Sequence, residues 1–124
     1  MVTLNALKQA RSDAIDAFAE LERVVFALVK EKTPGPFGEA LKHVIKLPEF
    51  AAKGEQIKSI ESLMHVRNDL VHAKPVYVQP KGGPTFLYRN NHVYDAYPLV
   101  RYMTLDAHES FTRETRRIVQ LLRP

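Results

Sequence analysis

The run Ile60-Glu61-Ser62-Leu63-Met64-His65-Val66-Arg67-Asn68-Asp69-Leu70-Val71-His72-Ala73-Lys74-Pro75 decides how this chain folds. Ile57, Ile60, Met64, Arg67 and Val71 follow 3-4-3-4 spacing, the signature of one stripe on a helix. The spacing predicts a helix from near Glu55 to Ala73, ended by Pro75, which disfavours helical geometry at Lys74. Arg67 takes a slot in that stripe where an apolar residue belongs. A guanidinium stays charged, so it requires partners there. Beside it Glu61, His65, Asn68 and His72 form a polar stripe at 4-3-4 spacing. On an ideal helix Arg67 and His72 lie about 140° apart.

Working outward, a first helix is expected from the N-cap Thr3 to about Lys32, with Ala14, Phe18, Leu21, Val25 and Leu28 inward. Thr33-Pro34-Gly35-Pro36 ends it. A second helix is expected over about Phe37 to Lys46, with Phe37, Leu41, Val44 and Ile45 inward and Pro48 breaking it. After the central helix come three β-type triplets, Val76-Tyr77-Val78, Phe86-Leu87-Tyr88 and His92-Val93-Tyr94. Turn chemistry separates them at Lys81-Gly82-Gly83-Pro84 and Asn90-Asn91. The last helix starts after the N-cap Thr104 with Leu105, Phe111, Ile118, Val119 and Leu122 inward. The expected fold is mostly all-α, a four-helix up-and-down bundle over residues 1–124 with a small β-hairpin or meander between its third and fourth helices.

A chain of 124 residues with 45% apolar and 26% charged residues suits one packed domain. No apolar run reaches the ~20 residues of a membrane span, and the N-terminus has no signal-peptide pattern. The absence of cysteine excludes disulfides and thiolate metal sites and fits a cytoplasmic protein. Residues 65–102 carry five Lys/Arg against two Asp/Glu, whereas residues 1–64 balance at nine each. The basic excess therefore surrounds Arg67 and favours phosphate-bearing partners.

Arg67-Asn68-Asp69-Leu70-Val71-His72, at the end of a third helix and followed by a β excursion, resembles the R-x4-H motif of the HEPN family. The likeness extends over the whole chain as an order of helices. It implies a metal-independent endoribonuclease built as a homodimer, two motif helices forming one cleft. RNA would be cut by its own ribose 2′-hydroxyl, leaving a 2′,3′-cyclic phosphate. By the same resemblance His72 moves protons, Arg67 offsets phosphate charge, and Asn68 positions His72 or the phosphate. Asp69, read as exposed, would orient Arg67 or a histidine. A toxin or defence role is implied, with a nucleotidyltransferase-type antitoxin as partner. Lys74 stands where one toxin branch carries an adenylylated tyrosine, so no nucleotide transfer is expected at that position.

Other readings stand beside these. A HEPN-fold binding module without catalysis is the alternative, and a bundle in which Arg67 is paired internally, with Glu20 for instance, is a third. His72 at a helix end is also a cation that the helix dipole favours. His65 and Asp69 at i,i+4 have only His72, a full turn on, as a third ligand, so neither metal nor cofactor is expected. His43, His92 and His108 are expected at the surface. Tyr77, Tyr88, Tyr94, Tyr97 and Tyr102 either pack the β segment on the helices or stack on unpaired bases.

Overall fold

A computed structural model describes residues 3–29, 36–81, 83–89 and 100–123. Helix α1 (Leu4–Val29) begins where Thr3 Oγ1 accepts the Ala6 amide at 3.0 Å, a side-chain cap on an otherwise unpaired donor. The expected continuation to Lys32 and the Thr33-Pro34-Gly35 stop lie outside the described residues. Helix α2 (Phe37–Val44) buries Phe37, Ala40, Leu41 and Val44, but Ile45, expected inside, is exposed just past its end. Pro48 opens a further turn, α3 (Pro48–Ala51), because proline is tolerated at a helix's first position.

The helix expected over residues 55–73 is divided. α4 (Gly54–Ile57) is separated from α5 (Ile60–His72) by Lys58 and Ser59. The Ser59 hydroxyl donates to Glu114 at 3.1 Å, tying this break to the last helix, α6 (Leu105–Leu122). α5 ends at His72, as Pro75 dictates, with Ala73 extended.

Strands β1 (Pro75–Val78), β2 (Thr85–Arg89) and β3 (Val100–Thr104) form an antiparallel meander in the order β1-β2-β3. Gly83 in the first connection has φ +104°, a region that glycine enters without strain. The strand beside β2 is thus Val100–Thr104. The expected His92-Val93-Tyr94 triplet and the Asn90-Asn91 turn lie outside the described residues. β3 feeds directly into α6, where Thr104 Oγ1 accepts the Ala107 amide at 3.1 Å.

The long helices alternate in direction. Ala6 and Leu105, near the starts of α1 and α6, line one groove, while Glu20 pairs with Arg123 beyond the far end of α6. These two helices therefore run parallel. α5 runs the other way, since Arg67 reaches Glu22 while Arg11 donates to the Leu70 carbonyl at 2.7 Å. The second helix, expected over about Phe37 to Lys46, is α2 and ends at Val44, and the short turns α3 and α4 begin at Pro48 and Gly54. The result is a mostly helical fold with a small antiparallel sheet.

The core lies between α1, α2, α5, α6 and one face of the sheet. Phe18 is its centre, edge-on to Phe37 at 5.4 Å and stacked on Phe111 at 6.1 Å. Phe86, Tyr88 and Met103 close it from the sheet side. No helix among the described residues is long and apolar enough to cross a membrane.

Candidate functional site

The second half of α5 sends its polar side chains in three directions. Arg67 turns toward α1. Its guanidinium lies 5.3 Å from the Phe18 ring centre and 3.6 Å from Glu22 Oε1, with 18% of the side chain exposed. The ring face and the carboxylate both favour the cation, which explains how an arginine occupies an apolar slot. Its partner is Glu22, two residues from the Glu20 that the sequence suggested. The Nε of Arg67 is buried without a hydrogen-bond partner.

Asp69 turns toward the sheet and is 4% exposed, so the exposed placement read from the sequence is corrected. Arg101 of β3 donates from Nε to Asp69 Oδ2 at 2.7 Å, a charge-assisted bond between helix and sheet.

His72 turns to solvent in the last turn of α5, next to the exposed Val71. Asn68 is half-buried. Among the described residues no hydrogen bond or ion pair joins Arg67 to His72 within one chain, in line with the angle between them. Among these residues no group of three or more His, Asp or Glu side chains converges as metal ligands would.

One polar cluster was not foreseen. His108, expected at the surface, is fully buried, as is Tyr88. His108 Nδ1 lies 2.7 Å from the Thr104 carbonyl and Nε2 lies 2.7 Å from the Tyr88 hydroxyl. A carbonyl only accepts, so Nδ1 carries the proton and Nε2 accepts from the phenol. Burial lowers the histidine's pKa, and the Arg11 charge adds to this against the Thr104 bond. Burial also raises the Tyr88 pKa well above its ordinary value, although Arg11 pulls it down. The signal was present in the sequence, since 108, 111, 115, 118 and 122 repeat the 3-4-3-4 spacing of the inward face of α6. The same face buries the hydroxyls of Thr112 and Thr115.

Comparisons with protein-family models, curated proteins and solved structures found no match to this chain.

Proposed function

We propose that this chain is a metal-independent endoribonuclease of HEPN type, a helical domain that works as a homodimer with α5 of each copy near the two-fold axis. The observation that carries it is the end of α5. There His72 is open to solvent, while Arg67 of the same helix is held from beneath by Phe18 and Glu22. The two groups diverge within one chain, so a cleft containing both needs a second copy. In that cleft one His72 takes the proton of the ribose 2′-hydroxyl as its oxygen attacks phosphorus. The bond from phosphorus to the 5′ oxygen breaks, and the His72 of the second copy supplies that oxygen with a proton. Arg67 donates to the phosphate oxygens as charge builds on them. Asn68 steadies the phosphate or His72, and Asp69 acts at a distance by fixing α5 to the sheet through Arg101. A toxin or defence setting in the cytoplasm, with a nucleotidyltransferase-type antitoxin, belongs to the same proposal.

The test is cleavage of RNA in EDTA. The expected result is products with 2′,3′-cyclic phosphate ends, DNA of the same sequence left intact, and a loss of about 10²–10⁴-fold in His72→Ala. RNA that is bound but never cut, with His72→Ala binding equally well, would overturn catalysis. The Arg67–Glu22 ion pair favours a second reading in that event, a HEPN-fold module that binds RNA or a nucleotide without cutting.

A further inference from the structure

The strand register divides the sheet into two unlike faces. Paired residues share a face, so Tyr88, Phe86, Met103 and Arg101 point to the helices. The other face carries Val76, Leu87 and Tyr102 in one row across the three strands, with Val78, Thr85 and Thr104 on one side and Arg89 and Val100 on the other. An antiparallel sheet with one face on a core ordinarily shows polar residues on the other. Here the outward row is apolar and is exposed at its two edges, Val76 by 49% and Tyr102 by 64%, with Leu87 half-buried between them. A contiguous exposed apolar surface of this kind marks a binding site more often than a bare face.

Charge selects the occupant. The three strands contain no aspartate or glutamate, yet Arg89 stands exposed on the same face as Tyr102. Exposed Lys74 and Lys81 flank β1 at its two ends. An aromatic ring in the open, an arginine beside it and strands without carboxylates together suit a polyanion with planar groups. A second copy of this chain would bring the same cations against themselves.

We infer that the outer face of the sheet is a stacking platform for single-stranded RNA, on which Tyr102 stacks an unpaired base and Arg89 holds a neighbouring phosphate. The platform presupposes the RNA substrate proposed above and adds to it that the strand must be unpaired. It gives separate roles to tyrosines that are alike in sequence, since Tyr88 packs in the core and Tyr102 faces the ligand.

A fluorescein-labelled oligouridylate, free or annealed to oligoadenylate, read by anisotropy on the whole chain, tests this. Tyr102→Ala is expected to weaken binding of the free strand roughly tenfold, and Tyr102→Phe to keep it within about twofold. Arg89→Ala should lower the slope of log affinity on log salt by about 0.7. The Tyr102 side chain is largely exposed, so its loss leaves the fold in place, which circular dichroism verifies. Affinity unchanged in Tyr102→Ala overturns the platform, as does a duplex whose binding depends equally on Tyr102. A Tyr102→Ala dimer that dissociates without change in RNA affinity also overturns it, giving the face to a second copy. The two proposals fail separately. Binding that depends on Tyr102 without cleavage removes the nuclease alone, and cleavage that ignores Tyr102 removes the platform alone.

Discussion

The Tyr88 hydroxyl donates to His108 Nε2 at 2.7 Å in a place where both side chains are fully buried. Nδ1 of the same ring donates to the Thr104 carbonyl, so the imidazole is satisfied at both nitrogens and bridges β2 to the start of α6. Tyr88→Phe keeps the packing against Phe86 but leaves Nε2 buried without a donor. A buried acceptor without a partner costs about 1–3 kcal/mol, and chemical denaturation should show a loss of that size. A change below about 0.5 kcal/mol would mean that water or a rearranged ring replaces the phenol.

The same cluster makes stability depend on pH at both extremes. The folded state lowers the His108 pKa below its ordinary 6.5, so this contribution is complete above that value and disappears as pH falls through the lowered pKa. The unfolded chain binds a proton there first, and unfolding free energy should fall by up to about 1.4 kcal/mol per pH unit. Tyr88 has a raised pKa, so its contribution is complete below the ordinary 10.0 and lost as pH rises beyond it. Denaturant midpoints from pH 7 down to 5 should decline in the parent and decline less in His108→Gln. A histidine ring proton that titrates below 6.5 in NMR spectra would identify the group directly.

Asp69 and Arg101 join α5 to β3 through a carboxylate that is almost wholly buried and a guanidinium that is partly open. Arg101→Leu removes the opposite charge bonded to a buried carboxylate and should cost roughly 2–3 kcal/mol, somewhat under the range for a fully buried pair. Asp69→Asn removes the charge and leaves the partly exposed arginine to water, so a smaller loss is expected. The double variant should be less destabilised than the two single losses combined, a coupling that a double-mutant cycle reads directly. Additive losses would show that the bond contributes no stability.

Legibility in the sequence followed periodicity. Both capping threonines, the stop before Pro75 and the stripes of α1 and α6 rest on local rules, and each is found in the structure. The division between α4 and α5 was missed because it is tied to Glu114, a partner 55 residues away. The strand Val100–Thr104 is not among the expected triplets, because it runs straight into α6 and only its last residue, Thr104, carries a local signal, that of the cap. His108 is expected at the surface because it has no partner nearby in sequence, whereas its position on the 3-4-3-4 face carries the better information. Asp69 shows the limit of such reasoning. A shift of one residue, about 100° around the helix, decides whether a carboxylate faces water or a sheet, and its partner in β3 lies 32 residues on.

Arg67 is where the enzyme and its structural rival can be separated. Its Nη2 lies 3.6 Å from Glu22 Oε1, beyond ordinary hydrogen-bond length, so this carboxylate steadies the charge without consuming a well-made donor. With Nε buried, the four N–H donors on the two Nη atoms are those that would hold a phosphate while the group rests on Phe18. Glu22→Gln should therefore change stability by less than about 1 kcal/mol while RNA affinity rises, because a competing anion has gone. Arg67→Lys should keep most of the stability yet lose cleavage by about 10²-fold, since an ammonium cannot offer two parallel donors. Arg67→Ala removes packing on Phe18 as well, so circular dichroism must show it folded before its activity is compared. His65→Ala, outside the proposed machinery, should cut RNA like the parent. If Glu22→Gln leaves RNA affinity unchanged and Arg67→Lys still cuts at the parent rate, the pair only holds α1 to α5, and Arg67 has no part in the chemistry.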